Sequence, residues 1–336
     1  MVLVTGATGI LGRVIVLELL KQGKEVRVTK RPSSDIQEVL KSYRFYTDQP
    51  EMFFNKINWV DVDFEDSDSI DAALRQVTEV YHCAAHVSFH PDDRRSMYHT
   101  NIEGTRQLLF SSQNSAVQKF CFISSTAVLD GMNEKGEISE DSDYNSKVNH
   151  SPYARSKHFA EMEVWRASAE GLNTIILNPG VIIGSGNWYS SSGEIFHAFS
   201  KYPYAMSGST AYVDVRDVGK IAISLMEKNR FGERYVLISE SKKILEVANF
   251  VRGKLGKSKA KVISKNFLTI GYGLHILFGW LIPPLRMLNK VNLETVTSHP
   301  VISNQKIRQE LDYQFIPVFE SLDFHLKNYI SDHNKL

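Results

Sequence analysis

Short apolar runs alternate with stretches of helical length through the first 180 residues. Residues 2–4 (Val-Leu-Val) lead into a glycine-rich turn and then into 14–20, whose aliphatic side chains continue as a helix. Further apolar runs at 25–29, 57–62, 80–85, 120–124 and 174–177 read as strands, with 67–76 and 101–112 as helices between them. Continuous apolar runs separated by helices predict a parallel sheet buried on both faces. Ligands of such sheets bind beyond the carboxyl ends of the strands, so chemistry is expected just after each run.

Two stretches break this rhythm. Residues 130–150 are rich in Glu, Asp, Asn and Ser and lack apolar periodicity. A loop of that length is expected to be a substrate flap, with solvated surface as the alternative. Residues 267–282 contain no Lys, Arg, Asp or Glu and end at Pro283-Pro284. As a helix they would reach about 24 Å, short of a hydrocarbon core of ~30 Å, so a complete span is not expected. Two readings stay open: an apolar roof over the substrate pocket, or peripheral contact with a membrane or oily partner.

Composition narrows the class. A chain of 336 residues suggests about two structural units, and 43% hydrophobic with 23% charged residues fits a globular protein. With 39 basic against 38 acidic side chains the net charge is +1, which removes the electrostatic footprint of a nucleic-acid binder. Cys83 and Cys121 both lie in apolar runs and read as core thiols of a reducing compartment. Val2-Leu3-Val4 runs straight into glycine with no leader pattern, so a cytoplasmic location is expected.

Gly6, Gly9 and Gly12 follow the first strand and open the first helix, the order a dinucleotide site needs. Gly6 permits the tight turn, Gly9 lets the backbone approach a pyrophosphate, and Gly12 lets the helix pack on the strand. The tip of the second strand, where an acid would bond a free ribose hydroxyl, carries Lys30 and Arg31 instead. Two cations there suit a 2′-phosphate, so NADP(H) is expected over NAD(H).

Ser151-Pro152 begins a helix that carries Tyr153 and Lys157 four residues apart on one face. A phenol titrates near pH ~10, and an adjacent ammonium would lower that value, making Tyr153 a general acid/base. A hydroxyl from the end of the 120–124 strand would steady a substrate oxygen. His82, His86 and His90 fall at zinc-like intervals, but His82 lies in a strand and Pro91 closes a loop, so no metal is expected.

The Gly-x-x-Gly-x-x-Gly turn together with Tyr-x-x-x-Lys resembles the extended short-chain dehydrogenase/reductase family, on its dihydroflavonol-reductase and 3β-hydroxysteroid-dehydrogenase branch. The resemblance implies an α/β fold: a doubly wound parallel Rossmann sheet with a smaller, mostly α C-terminal substrate domain. The dinucleotide unit would comprise 1–178 and 212–238, the substrate portion 179–211 and 239–336. It assigns cofactor contacts to Thr8, Ile10 and Leu11 in the turn, to Asp63 and Phe64 at the adenine end, and to Ala84 and Ala85 beneath the cofactor. Pro179, Gly180 and Ile182 would line the nicotinamide, and Lys157 would also hold its ribose. Alignment on Phe122-Ile123 puts the hydroxyl donor at Ser125; the downstream Gly131 leaves Thr126 open. Asn101 matches a structural Asn, Asn178 stands where the family usually has Arg, and 212–218 matches the crossing before a helix. Asp312 replaces a Gly in the terminal 304–313 element.

The implied activity is reversible hydride transfer between NADP(H) and a carbonyl or secondary alcohol of an apolar small molecule, cyclic substrates included, in a homodimer. The alternatives are a nucleotide-sugar epimerase/dehydratase that retains NAD and a dinucleotide sensor without chemistry.

Overall fold

The computed structural model describes residues 1–88, 90–188, 193–278 and 283–333. Its strands are β1 (Val2–Thr5), β2 (Val26–Lys30), β3 (Asn58–Asp61), β4 (Glu79–His82), β5 (Lys119–Ile123), β6 (Asn173–Pro179), β7 (Val181–Ile183), β8 (Tyr204–Ala205), β9 (Ser209–Asp214), β10 (Glu233–Leu237), β11 (Glu240–Lys243) and β12 (Lys261–Val262). Seven of them form one parallel sheet in the order β10-β6-β5-β4-β1-β2-β3. The winding reverses between β1 and β4, and a crevice opens at such a switch point.

Alternation along each strand sends side chains to two cores. Val2 and Val4 of β1 join the helices Ile10–Lys21 and Val215–Glu227 through Val14, Ile15 and Val218. Leu3, with Val80, Phe120 and Phe122, faces the opposite helices Gly104–Gln113 and Pro152–Ala169 through Leu108, Ala160 and Val164. Burial on both faces is why these runs lack a polar alternate.

The C-terminal portion is mostly helical, with a three-stranded sheet β11-β9-β7 and the pair β12-β8. Strand β9 falls partly within 212–238, yet it pairs with β7 and β11 outside the large sheet. The helix after it and β10 return to the large sheet. Asp312 ends the helix Gln305–Leu311 at φ +50°, the left-handed geometry that a glycine ordinarily takes at this position. The apolar segment from 267 forms the helix Lys265–Phe278, which packs on the turn Pro283–Leu288; residues 279–282 lie outside the described ones. No described helix is long and apolar enough to cross a membrane.

Candidate active site

The chain leaves β1 at Gly6, whose φ of +67° favours glycine. A Cβ at Gly6 would meet the Ala84 nitrogen at 2.6 Å, and one at Gly12 would lie 2.3 Å from the Gly6 carbonyl oxygen. The turn therefore holds no side chain at either place. Gly9 N–H donates to the Gly6 carbonyl at 2.9 Å, and Gly9 caps the helix Ile10–Lys21 without any side-chain cap. That bare N-terminus leaves N–H groups and a positive dipole end for an anion. Ile10 and Leu11 point into the core, so their contribution to a ligand would be backbone. Gly6, Thr8 and Gly9 stay partly accessible.

Beyond the ends of β2 and β3, a cavity of about 830 Å³ is lined by Arg31, Asp61, Asp63, Phe64, His99 and Gly104, among others. Asp63 Oδ1 accepts the Glu65 N–H at 3.0 Å, and Phe64 stacks close to Gly104. The two cations of the strand tip differ. Lys30 pairs with Asp61 directly across the β2–β3 register, so its charge is already committed. Arg31 is exposed on the cavity, has no acidic partner among the described residues, and its N–H donates to Ser34 Oγ at 3.2 Å.

Thr5, His82 and Phe122 stand side by side on β1, β4 and β5, so the segments leaving these strands share one crevice. Ala84 N–H donates to Thr5 Oγ1 at 3.2 Å, tying the Ala84-Ala85 passage to the glycine turn. The His82 ring nitrogens face Thr5 Oγ1 at 2.7 Å and Thr105 Oγ1 at 2.9 Å. Burial, aided by the Lys157 charge, pushes its pKa down to about 3, leaving a neutral core imidazole. His86 Nδ1 faces Ser96 Oγ at 3.1 Å instead, and no group of metal-ligating side chains gathers among the described residues.

Ser151 Oγ accepts the Ala154 N–H at 3.1 Å and starts the helix Pro152–Ala169. On its first turn the Tyr153 phenol stands in the neighbourhood of the Ser125 hydroxyl, which acts to lower its pKa. Ser125 Oγ also accepts the Ala127 N–H at 3.2 Å, which sends Thr126 away into a short 3-10 turn. Lys157, one turn further, is fully buried; its Nζ donates to the Ile123 carbonyl at 2.5 Å and sits 4.2 Å from the centre of the Phe122 ring. Burial lowers the Lys157 pKa to about 8, although Glu161 opposes the shift. Burial raises the Tyr153 phenol above its ordinary value, and the Ser125 hydroxyl only partly offsets this.

A second turn on, the buried Glu161 carboxylate accepts Ser124 Oγ at 2.7 Å, Asn178 Nδ2 at 3.1 Å and Arg234 Nη1 at 3.1 Å. The same guanidinium donates to the carbonyls of Glu140 (2.5 Å) and Ser142 (2.7 Å) in the 130–150 segment. That segment is not loose padding: Glu140 Oε1 accepts the Val236 N–H at 2.8 Å, and the Tyr144 ring lies between His150 and His158 at 4.1 and 3.8 Å.

Residues 2–237 match the NAD dependent epimerase/dehydratase family. The chain belongs to that family. Within it, the chain is similar to the putative dihydroflavonol 4-reductase of Synechocystis sp., 30% identical over 248 residues that cover 71% of this chain and 67% of the relative. It is 29% identical over 265 residues to sterol demethylase protein B of Methylococcus capsulatus, covering 77% and 76% of the two chains. Its fold matches the UDP-glucose 4-epimerase of Thermotoga maritima with a TM-score of 0.77, at 19% identity and 99% coverage of both chains. This epimerase/dehydratase family member is an NAD(P)-dependent oxidoreductase of the extended short-chain type.

Arg13 carries no signal in the family spacing, and several residues that do carry one take partners the spacing does not show. Buried Arg13 donates to the carbonyls of Thr8 and Gly9 (3.2 Å for the latter) and ties the glycine turn to Glu38 at 3.4 Å, while burial lowers its pKa. Asn178, in the place of the usual Arg, donates to the Ser125 carbonyl at 3.1 Å and leaves its buried Oδ1 without a partner. Asn101 lies in a π-helical turn, His99–Glu103, a rare geometry often found at functional sites. Its amide bridges His86 (2.9 Å to the carbonyl, 2.7 Å from the N–H) to Ser156 Oγ at 2.9 Å, locking the loop after β4 to the Tyr153 helix. Pro179 ends β6 and Ile182 lies in β7, and between them a Cβ on Gly180 would lie 2.5 Å from the Ala211 carbonyl oxygen. Both cysteines are free, and burial pushes the Cys83 thiol up to about 12 and raises Cys121 well above its ordinary value.

Proposed function

We propose that this chain is an NADP(H)-dependent carbonyl reductase, and in reverse a secondary-alcohol dehydrogenase, on an apolar substrate. The observation that carries the reading is the gathering of the Ser125 hydroxyl and the Tyr153 phenol at the end of β5, with the buried Lys157 ammonium one helical turn away. All three belong to the end of β5 and its covering helix, two strand spacings, about 10 Å, from the glycine turn.

The nicotinamide, when bound, supplies or accepts the hydride. Ser125 Oγ and Tyr153 Oη hold the substrate oxygen, and Tyr153 gives that oxygen its proton as negative charge grows there. The raised phenol pKa suits this direction, since Tyr153 stays protonated at neutral pH. Lys157 meets a phenolate only after the proton has moved, so its attraction is felt in the transition state more than in the ground state. Lys157 also holds the nicotinamide ribose. Backbone groups of Gly6, Thr8, Gly9, Ile10, Leu11 and Gly12 cradle the pyrophosphate. Asp63 and Phe64 take the adenosine end, and Ala84, Ala85, Pro179, Gly180 and Ile182 make room for the other half.

The preference for NADP(H) rests on Arg31, with Lys30 secondary because Asp61 already neutralises it. An apolar substrate is supported by the names of the relatives, a dihydroflavonol 4-reductase and a sterol demethylase protein. It is also supported by Val87, Met132 and Val148, apolar side chains exposed on the segments that follow β4 and β5.

Tyr153→Phe should lower kcat by about 10²- to 10⁴-fold in assays of ketone-dependent NADPH oxidation, with NADPH affinity unchanged; an unaltered rate sinks the mechanism. Arg31→Ala should raise the KM for NADPH by about tenfold or more and leave that for NADH alone. Equal use of both cofactors by the native enzyme defeats the cofactor assignment. Turnover of a sugar nucleotide with NAD retained and not consumed would replace reductase by epimerase chemistry.

A further inference from the structure

The 47 residues from 247 to 293 contain no Asp or Glu but eight Lys or Arg, in a chain whose net charge is only +1. This acid-free stretch includes the helix Lys265–Phe278, which has no charged residue from Asn266 onward. One side of the helix is covered: Gly271 is buried, and a Cβ there would lie 3.1 Å from Leu288 Cδ1 of the adjoining turn. The flank next to it is open: Phe267, Ile270 and Leu274, spaced at i, i+3 and i+7, are 65%, 61% and 41% exposed. Ile276, 60% exposed, lies at the far edge of the exposed side, more than a quarter turn round the helix from them.

The chain enters this helix from β12, two residues upstream. Pairing of β12 with β8 sets Lys261 beside Tyr204, and Tyr202, Tyr204 and Val262 are all exposed. Some cations of the stretch are occupied: Lys254 pairs with Asp323 and Arg286 with Asp92. Lys259 and Lys261 are exposed and have no acidic partner among the described residues. An uncharged apolar arc thus follows, two residues on in the chain, a strand whose surroundings carry exposed lysines and tyrosines.

We propose that this surface docks on an anionic lipid bilayer, with the helix Lys265–Phe278 lying in the plane of the interface. Its 14 residues reach about 21 Å, too short to cross a ~30 Å core but long enough to bury one face among the acyl chains. Lysines just outside the apolar arc meet the negative surface potential, and tyrosines sit comfortably at headgroup depth. A second copy of the chain fits less well. A two-fold interface brings the same patch against itself, and here that patch offers cations with no acid to receive them. The proposal is independent of the redox chemistry, because its readout is partition and not turnover.

The test uses the purified full chain and two sets of sedimentable vesicles, one of phosphatidylcholine alone and one of equal parts phosphatidylcholine and phosphatidylserine. At low salt the chain should partition into the anionic set about tenfold or more better, and added salt should erase the difference. The double variant Lys259→Glu with Lys261→Glu should lose that difference, and Phe267→Ser with Ile270→Ser should weaken binding to both sets. Retained NADPH oxidation and melting temperature show that the variants are folded; both pairs are exposed, and the lysine pair tests the idea by itself. A native chain that stays in the supernatant overturns the proposal, as does partition unaffected by the Phe267 and Ile270 substitutions. Equal partition into both sets overturns the charge assignment. A dimer in gel filtration that these apolar substitutions dissociate assigns the face to a second copy instead.

Discussion

Two buried polar clusters can be set side by side, one beyond β5 and β6 and one at the end of β9. In the second, Asp214 Oδ1 accepts the Arg216 backbone N–H (2.8 Å) and Nε (2.9 Å), while Oδ2 accepts Arg216 Nη2 (2.7 Å), Ser321 Oγ (2.7 Å) and faces His325 Nε2 at 3.2 Å. The other His325 nitrogen faces Ser185 Oγ at 2.7 Å. Burial alone would raise the Asp214 carboxyl, but Arg216 and His325 outweigh it and hold the group well below the usual carboxylate range. In the first cluster burial wins. Lys157 has one carbonyl and a ring face, its pKa falls to about 8, and Asn178 Oδ1 has no partner. Asp214 and Lys157 themselves are equally inside the protein. What separates them is completeness: a charge fully satisfied holds elements together, whereas a charge left short of partners is poised to act on something else.

The largest effect that can test this contrast comes from Lys157→Met. With the phenolate left uncompensated, kcat should fall by about 10²- to 10⁴-fold, yet the folded protein should gain stability. The folded pKa of about 8 lies below the ordinary 10.5, so the unfolded chain binds the proton more tightly. The burial cost is therefore fully present below pH 8 and is relieved as pH rises toward 10.5. At neutral pH the variant should be more stable by up to about 3 kcal/mol in urea melts, and the gap should close across that alkaline window. A variant less stable than the native chain at pH 7 breaks the comparison.

Asp214→Asn should do the reverse, costing about 3 kcal/mol at pH 7 while turnover per folded molecule is kept. The figure belongs to the low end for a broken buried pair, since the Arg216 side chain keeps a quarter of its surface in water. Here the folded pKa is depressed. The native advantage is complete above the unfolded value near ~3.9 and is lost as pH falls through the lower folded one. Melts of the two proteins should converge in acid, and a constant gap from pH 7 to pH 2 would remove the carboxylate from the account.

The contrast was only half legible in the sequence. The alternation of runs, the glycine turn and the Tyr153–Lys157 spacing are local, because a strand is continuous apolar chain and a helix face repeats within four residues. Ser125 and Thr126 are not told apart by spacing, since the local turn that Ser125 caps leaves no trace in the sequence pattern. The partners of Glu161 lie far off in the chain: Arg234 is 73 residues away, and its flap contacts are more than 90 residues from it. No periodicity carries such a pairing. Lys30 shows the same limit, because its pairing with Asp61 needs the strand register and not the strand itself. Nothing local marks Arg13 near the start of its helix; burial and three carbonyl partners make it part of the frame.

Glu161→Gln gives the smallest and most discriminating change, because Glu161 belongs to both kinds of cluster at once. Its carboxylate closes a network with Ser124, Asn178 and Arg234, and its charge also resists the fall of the Lys157 pKa. Gln keeps the size and can still accept from Ser124 and Asn178, so packing should survive while the buried pairing with Arg234 is lost. Without the negative charge, Lys157 should lose its proton at a lower pH than in the native enzyme. The alkaline limb of kcat against pH should therefore move toward neutrality, by about one pH unit or less, while kcat at pH 7 drops less than about tenfold. A purely structural Glu161 would lower activity evenly at every pH and leave that limb in place.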